Sequence, residues 1–554
     1  MSADIIITNG RVITMDEALP HAEAVAIAGN KILFIGDAQS ALAHRKSSTR
    51  IIDAQGGTVL PGLIEAHMHL FPGATEIENL QLYGVHGFAA MEQAIRAYAA
   101  SRPGARLLIG QQADYTILSD TERVTRKHLD RIIPDRPFIM FSPDHHTAWA
   151  NTIALEKAGI LKGKQLGPGN EIVMGDDGLA EGELREGEAI QPVQSLSGSG
   201  NRERLGLSTG GEPDPAPTPE EFEHDLTVIK RGLAHLAKNG LTSFHNMDGN
   251  LYQLQLLEAL EARGELTARG RIPFHFKNFM EISALEKASD MSARYHSDRL
   301  ASGFVKLFVD GVLDSWTAVM VEDYADRKGW VGEPLFTKKQ FAKVATAIDK
   351  RGLQIAVHAI GDGAVRIVLD GYEAARKANG PRDSRHRIEH IEVVHPDDIP
   401  RFRELGVIAS MQPPHPPGSQ GLPLEPTVSR IGRDRWEYAY AWNTLRDAGA
   451  HLVFATDWPV SDINPIRSIQ SAVTRTKWAD DLPDQRQTLE QAISGYTRDG
   501  AFTEFKEDRK GRLKHGMLAD VTVLSGDMEK TDPEGLHELT PIVTITDGKV
   551  VYTA

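Results

Sequence analysis

The chain contains no cysteine, so disulfide bonds are excluded and any bound zinc must be held by histidine, aspartate, glutamate or modified lysine. Basic residues are outnumbered 76 to 61 by acidic ones, and the net charge of −15 argues against nucleic acid and polyphosphates as partners. No run of about 18 apolar residues occurs, and no basic segment precedes an apolar one at the start. We therefore expect a cytoplasmic protein that does not enter a membrane.

Histidine, by contrast, is abundant, with 21 residues among 554, and one pair stands out. His67 and His69 flank a single methionine at the end of the apolar run 58–66. Alternate side chains of a strand share a face, so both imidazoles would point into one cavity and could bind one divalent metal. Such a pair also arises by chance, but the buried parallel strand predicted ahead of it favours the metal site.

The middle of the chain alternates short apolar strands with amphipathic helical stretches. Together with the run at 58–66 there are eight such strands, the count of a (β/α)8 barrel. The other seven are predicted at 241–245, 273–279, 304–309, 354–359, 387–390, 407–411 and 452–457. The predicted fold class is therefore α/β, a metal-dependent (β/α)8 TIM barrel over residues 58–505.

Both ends of the chain have a different pattern, with short strands separated by glycine-containing turns. At the start, 4–14 and 24–36 predict a hairpin meander, and 519–524 and 541–552 repeat the pattern near the end. Neither group is large enough to be stable alone, so we expect one small β-sandwich domain composed of residues 1–57 and 506–554.

Residues 72–215 exceed what a barrel needs, and we interpret them as an insertion after the first barrel strand. Two strands are predicted within it, at 107–110 and 136–141. Its end, 195–219, is rich in glycine, serine and proline, which is typical of a linker or a mobile cover segment.

Four further polar residues stand where predicted barrel strands end: Lys306, His358, His390 and Asp457. Each alone has an ordinary interpretation, since the lysine could pair with Asp310, the histidines could be hydrogen-bonded core residues and the aspartate could cap a helix. Burying such side chains in apolar strands is costly unless something pairs with them, and a metal does so. The ordered set on strands one, four, five, six and eight favours a metal site.

In this order the residues resemble the ligands of the amidohydrolase superfamily. The chain is similar to its third amidohydrolase family, the YtcJ-like branch related to N-substituted formamide deformylases. Short motifs in the family's order carry the resemblance: Asn9-Gly10, Pro61-Gly62, His67-Met-His69, Ser142-Pro-Asp-His-His146, Thr242-Ser243, Asp310-Gly311, His358-Ala-Ile-Gly-Asp362, Arg387-Ile-Glu-His390, Gln412-Pro413, Asp457-Trp-Pro-Val460, Gly495-Tyr-Thr497 and Gly516-Met-Leu-Ala-Asp520. Two features depart from the family: Glu65 replaces the usual aspartate, and Gly110-Gln-Gln-Ala-Asp114 replaces an aromatic-rich stretch.

The resemblance implies a centre with two Zn²⁺ ions and a hydrolase acting on carbon–nitrogen bonds other than peptide bonds. One zinc would be bound by His67, His69 and Asp457, the other by His358 and His390, with a carboxylated Lys306 bridging them. Burial would favour the neutral amine that carboxylation requires. The implied reaction hydrolyses a linear amide, N-formyl or N-acyl amine through a metal-activated hydroxide, with Asp457 as base and then acid.

Residues on the substrate side are predicted less directly. His146, or its neighbour His145, could act as a second catalytic group or contact substrate, although a surface histidine would look the same. Gln412 and His415 follow the seventh strand and could reach the pocket, and Trp149 and Trp458 could form aromatic walls or be core residues.

Two alternatives to the dinuclear hydrolase stay open. One is a mononuclear deacylase or deaminase in which Lys306 remains an amine. The other is a non-catalytic regulatory protein on the same fold. The predicted partner is a small-molecule amide, and a homodimer is an open alternative to a monomer.

Overall fold

The computed structural model describes residues 1–119, 121–142, 147–167 and 170–554. The chain divides into two compact units: the first is Met1–Leu70, Gly206–Glu212 and Leu233–Ala554, and the second is Phe71–Leu205 and Pro213–Gly232. The α-helices are Ala38–Leu42, Leu70–Glu76, Phe88–Ser101, Arg126–Ile132, Thr152–Lys157, Gly187–Gln194, Arg202–Ser208, Pro219–Lys238, Leu251–Ala262, Leu285–Arg294, Lys338–Asp349, Asp362–Asn379, Ile399–Leu405, Thr427–Ile431, Trp442–Asp447, Pro465–Thr474, Leu489–Gly495 and Arg498–Thr503. Short 3₁₀ helices are Ile282–Ala284, Leu313–Ser315, Pro396–Asp398, Ser419–Gly421, Arg433–Tyr438 and Pro533–Glu538.

Two parallel sheets of the first unit contain the strands predicted between residues 220 and 505. The four-stranded sheet has the order Leu300–Ala301, Arg269–Arg271, Leu241–Asn246, Leu63–Met68. The six-stranded sheet has the order Phe274–His275, Phe304–Phe308, Gln354–Ala359, Arg387–His390, Ile408–Met411, His451–Phe454. Since the six strands follow chain order and helices separate the last five, this part of the chain has α/β architecture.

The prediction of one strand over 58–66 is wrong, because the structure has two. Thr58–Pro61 pairs with strands from the two ends of the chain, whereas Leu63–Met68 pairs with Leu241–Asn246. The break falls at Gly62, where an added Cβ would lie 2.2 Å from the hydroxyl oxygen of Thr242. Only glycine allows the chain to pass this close to the neighbouring strand.

The ends of the chain meet in two further sheets of the first unit. One has the order Lys31–Gly36, Ala24–Ala28, Ile5–Thr8, Arg50–Asp53, and the other Lys549–Thr553, Pro541–Thr546, Val521–Leu524, Thr58–Pro61, Arg11–Ile13, His21–Ala22. A shared apolar core includes Val12, Val59, Val521 and Ile545, so residues from both ends pack together.

The topology confirms the second part of the predicted N-terminal hairpin meander, because Ala24–Ala28 pairs antiparallel with Lys31–Gly36, and corrects the first part. Ile5–Thr8 and Arg11–Ile13 lie in different sheets rather than pairing with each other. Asn9 between them has a φ of 55° and its side-chain amide donates to Asp53 at 2.7 Å. This left-handed residue redirects the chain from one sheet to the next.

The second unit is built on one six-stranded sheet. Its order is Glu171–Met174, Ala180–Arg185, Thr147–Ala150, Phe138–Phe141, Leu108–Gln111, Leu80–Gln81. Along Phe138–Phe141 alternate side chains enter two different apolar clusters, as expected for a strand buried on both faces. Across the described ranges of the whole chain, no helix is both long and apolar enough to cross a membrane.

Candidate metal centre and active site

The histidine pair stands at the end of Leu63–Met68, and each imidazole is held from behind by a carboxylate. His67 Nδ1 donates to Glu389 Oε2 at 2.7 Å, and His69 Nδ1 donates to Asp248 Oδ1 at 2.9 Å. Both histidines are buried. These bonds select the tautomer that leaves each Nε2 with a free lone pair.

The two Nε2 atoms converge on one oxygen. His67 Nε2 and His69 Nε2 each lie 3.3 Å from Asp457 Oδ1, and that oxygen has no hydrogen-bond partner among the described residues. Burial alone would raise the pKa of Asp457, but positive charge on the adjacent imidazoles of His67 and His69 holds it well below its ordinary value, so this carboxylate favours a cation beside it. Two lone pairs and a carboxylate oxygen facing each other in a buried site need a cation between them, so the donor set fits a divalent metal.

A second group of ligand atoms shares the same aspartate. His390, His415 and Asp457 offer atoms within 4.8 Å of one another, with His415 Nε2 3.9 Å from Asp457 Oδ2. His390 Nδ1 donates to Gln412 Oε1 at 2.9 Å, and its ring stacks on that of His415 at 5.9 Å. Asp457 is therefore placed to serve two neighbouring ligand groups.

His358 and Lys306 are brought to the same place with different surroundings. The ring centroid of His358 lies 4.5 Å from that of His390, and its Nε2 donates to Gly311 O at 2.9 Å. Lys306 is fully buried, its Nζ lies 4.9 Å from the centre of the Phe308 ring, and no described residue offers it a hydrogen bond. Burial lowers the pKa of Lys306 to about 8, although the carboxylates nearby oppose this shift. A buried amine close to neutrality is the form that can react with CO₂.

Two of these residues have backbone conformations that side chains other than glycine rarely adopt. The φ of His390 is 77° and that of Asp457 is 62°. Each such residue costs about 1–3 kcal/mol, which is typical of functional sites. The backbone N–H of Asp457 donates to His67 O at 2.9 Å and that of His69 to Trp458 O at 2.8 Å, so the two segments are locked together.

The carboxylates behind the histidine pair are functional residues that the sequence interpretation missed. Glu389 is fully buried against Arg387, and Asp248 also accepts from Gln253 Nε2 at 2.7 Å. Charged residues at alternate positions 387 and 389 of a buried strand were a usable signal of a buried pair. Asp248 gave no comparable signal beyond its place after a strand.

Asp310, named in the sequence analysis only as an ordinary alternative partner for Lys306, instead holds loop backbone. Its carboxylate accepts backbone N–H groups of Val319, Ile360 and Gly361 at 2.9–3.0 Å. Burial raises the pKa of Asp310 to about 7 against these hydrogen bonds. The loop that it holds follows directly after the strand bearing His358.

Glu65, the residue that departs from the family pattern, joins the first strand to the segment before Asp457. Its Oε1 accepts the backbone N–H of Thr456 at 2.8 Å and that of His67 at 3.3 Å, and its Oε2 accepts the Thr456 hydroxyl at 3.1 Å. Burial raises the pKa of Glu65 to about 8. A contact that supports the ligands is thus present in altered form.

The predicted substrate residues fall into three groups. Gln412, His415 and Trp458 lie at the site or on its ligands, and the indole of Trp458 is 5.6 Å from the ring of His235. The amide nitrogen of Gln412 and Nε2 of His415 have no hydrogen-bond partner among the described residues, so both are available to a ligand.

The other two groups are Trp149 alone, and His145 with His146. Trp149 belongs to the second unit, where it is buried in an apolar cluster with its ring 5.5 Å from Tyr115. His145 and His146 lie outside the described residues.

Two basic residues near the centre had no predicted role. His275 is fully buried, stacks on Phe308 at 5.4 Å, and neither ring nitrogen has a partner among the described residues. Burial lowers the pKa of His275 well below its ordinary value and that of Lys277 to about 8, and Lys306 adds to both shifts. Burial thus favours the neutral form of the His275 imidazole and makes Lys277 a second weakly basic amine near Lys306.

Comparison with known proteins identifies relatives of the whole chain. A family model described as the amidohydrolase family matches residues 50–552. The chain is 26% identical over 550 residues to the putative amidohydrolase YtcJ of Bacillus subtilis, covering 98% of both, and 24% identical over 567 residues to the N-substituted formamide deformylase of Arthrobacter pascens, covering 99% of this chain and 98% of that protein. Its structure resembles that of an uncharacterised metal-dependent hydrolase from Pyrococcus furiosus, with 26% identity, a TM-score of 0.75 and coverage of 96% of this chain and 99% of the other.

Proposed function

We propose that this chain, which belongs to the amidohydrolase family, hydrolyses the C–N bond of a linear amide, N-formyl or N-acyl amine. The observation that carries the proposal is the convergence of His67 Nε2 and His69 Nε2 on Asp457 Oδ1, each at 3.3 Å. The similarity to an N-substituted formamide deformylase supports the choice of bond and substrate class. The enzyme class would be hydrolases acting on carbon–nitrogen bonds other than peptide bonds.

We propose two zinc ions as the cofactor. Bound divalent metals would acidify a water molecule and polarise the substrate carbonyl. His415 is an alternative ligand for the second ion, since its Nε2 belongs to the group around Asp457 Oδ2. The proposed ligands are His67, His69 and Asp457 for the first ion, His358 and His390 for the second, and carboxylated Lys306 as the bridge.

The protein's own groups then account for proton movement and orientation. Asp457 would accept a proton of the attacking water and give it to the leaving nitrogen as the C–N bond breaks, yielding an acid and an amine. The Gln412 amide supplies an unpaired donor for the substrate carbonyl oxygen, and His415 Nε2 supplies a second one if His415 does not hold the second ion. Burial of the ligands keeps bulk water away from these groups.

The proposed architecture places this centre at one end of a (β/α)8 barrel. The β-bridge between Met68 and Trp458 and the bond from His69 N to Trp458 O support joining the first strand to the last. We propose that the terminal sheets form a β-sandwich domain of residues 1–57 and 506–554, extended by the strand Thr58–Pro61 that pairs within it, and that the rest of 58–505 forms the barrel with its insertion at about 72–215.

The direct test is hydrolysis of N-benzylformamide by protein loaded with zinc, measured as the release of benzylamine. We expect turnover by the wild type, and a loss of about a thousandfold or more in Asp457→Asn, because the amide cannot serve as base. Asp480→Asn, an exposed aspartate changed in the same way, is the matched control and should keep full activity. Equal activity of Asp457→Asn and the wild type would refute the proposal.

Metal content per chain separates the alternatives. About two zinc ions in the wild type and one or none in Lys306→Ala would support the bridged pair, whereas one in both would favour a mononuclear deacylase or deaminase. Two zinc ions without hydrolysis of any amide tested would favour a non-catalytic regulatory protein.

A further inference from the structure

A cavity of about 380 Å³ lies wholly within the second unit. It is bounded by the helix Phe88–Ser101, the strand Leu108–Gln111 and the helices Arg202–Ser208 and Pro219–Lys238. Its volume falls within the range of small-molecule sites, roughly 300–1,000 Å³. None of the residues predicted from the sequence as ligands or catalytic groups is among the described residues that line it.

Two buried acceptors in the wall of this cavity have no hydrogen-bond partner among the described residues. They are Gln111 Oε1 and Glu203 Oε2, on side chains of residues only 5% and 4% exposed. By comparison, the described residues of the wall contain one buried donor without a hydrogen-bond partner, Arg102 Nε. Because a buried acceptor left unpaired costs about 1–3 kcal/mol, the wall favours an occupant that donates more hydrogen bonds than it accepts.

The charges of the wall point to the same kind of occupant. Among the described residues that line the cavity are five glutamates and four arginines. Arg102 and Arg231 both pair with Glu78 at 2.9 Å, and Arg106 lies 3.7 Å from Glu220. Two guanidinium groups are thus used on a single carboxylate of the wall.

Glu221 pairs with Arg202 at 3.3 Å, and the two carboxyls that remain, on half-buried Glu76 and buried Glu203, are short of positive charge. Glu76 and Glu203 are left near Arg204, and burial raises the pKa of both carboxyls to about 7, with Arg204 opposing the shift. The charge of Glu203 raises the pKa of Glu76 further. One added cation would allow both carboxyls to ionise.

Part of the wall is apolar. Leu107 and Val228 are buried there, and Tyr98 is also among the described residues that line the cavity. An occupant can therefore bury an apolar portion as well as a polar head.

We propose that this cavity binds a small organic ammonium ion, with its N–H groups donated to Glu203 Oε2 and Gln111 Oε1 and its carbon portion against Tyr98 and Leu107. The proposal goes beyond the proposed hydrolysis and does not rest on it. A primary ammonium has three donors and no acceptor, and it supplies the charge that the wall lacks.

Calorimetric titration of the full-length protein with benzylammonium chloride tests the proposal. We expect saturable binding of benzylammonium and none of benzyl alcohol, which has the same ring and no charge. Glu203→Gln keeps the shape of the side chain and removes its charge, and it should weaken binding by about tenfold or more. Gln111→Met removes the second acceptor and should also weaken binding, so that the test survives if one variant fails to fold.

Two controls make the result specific. Glu156→Gln, an exposed glutamate of the second unit, should bind benzylammonium like the wild type. Asp457→Asn separates this cavity from the metal centre, since an amine could bind there as a product. Binding lost in Asp457→Asn but kept in Glu203→Gln and Gln111→Met would overturn the proposal, as would the absence of binding to the wild type or equal binding of benzyl alcohol.

Discussion

The charge pair behind His67 offers the sharpest test of how the candidate metal centre is held. Arg387 and Glu389 are both fully buried. Arg387 Nε donates to Glu389 Oε1 and Arg387 Nη2 to Glu389 Oε2, the second at 2.9 Å, while the same Oε2 accepts from His67 Nδ1 at 2.7 Å. Burial would raise the pKa of Glu389, but Arg387 and His67 hold it well below its ordinary value.

Glu389→Gln keeps the volume and removes the charge. The Arg387 guanidinium then remains buried without a counter-charge, and the new amide N–H₂ must face a donor on Arg387 or on His67. Breaking a buried pair from one side costs about 3–5 kcal/mol of unfolding free energy. Loosening the orientation of His67 should also weaken metal affinity by about 10–100-fold.

The assay compares denaturant unfolding of chelated wild type, Glu389→Gln, Arg387→Met and the double variant, so that metal binding does not contribute. We expect each single change to destabilise by about 3–5 kcal/mol and the double to cost at least about 1 kcal/mol less than the sum. In the double variant the buried cation is gone, and the oxygen of Gln can still accept from His67 Nδ1. Glu490→Gln, an exposed glutamate, should change stability by less than about 0.5 kcal/mol.

Two results would refute this reasoning. One is a Glu389→Gln variant within about 0.5 kcal/mol of the wild type, which would mean that the guanidinium does not depend on this carboxylate. The other is strict additivity of the two single changes, because residues in one buried network are expected to couple.

Three further predictions follow from single contacts. Lys306→Met should leave the chelated protein at least as stable as the wild type, because the buried Nζ has no hydrogen-bond partner among the described residues. The same change should lower the zinc content measured by elemental analysis. Destabilisation of the chelated protein would contradict this prediction. Asp248→Asn should weaken zinc affinity by about 10–100-fold in a competition titration, because His69 loses its charged partner; unchanged affinity would contradict it. Burial raises the pKa of Glu203 from 4.5 to about 7, so the contribution of Glu203 to folding stability falls as pH rises from about 4.5 to 7. Glu203→Gln should reduce the fall of the thermal midpoint over this pH range by the equivalent of about 3 kcal/mol. A fall equal to that of the wild type would contradict the raised pKa of Glu203.

The positions of the main strands could be predicted because each is a short apolar run with a polar residue at its end. Gln354–Ala359 and Arg387–His390 have the predicted bounds, and the polar residues His358 and His390 come together with ring centroids 4.5 Å apart. Where local sequence and tertiary pairing compete, the prediction failed. The apolar run 58–66 looks continuous, but its two halves pair with different sheets.

Partnerships between distant residues were beyond the sequence for a different reason. His67 and Glu389 are 322 residues apart and His69 and Asp248 are 179 apart, and nothing local to either partner specifies the other. Residue types alone indicated that buried polar groups needed partners, whereas the fold decides which carboxylate meets which imidazole.

Glu65 shows the same division within a single residue. Its sequence position before the histidine pair marked it as a departure from the family, and the change of one methylene gave no indication of what the side chain would reach. In the structure one carboxyl accepts from His67 N, Thr456 N and the Thr456 hydroxyl, so it connects the residue bearing one ligand to the residue before Asp457. The Glu65 carboxyl therefore connects the first ligand strand to the segment that carries Asp457.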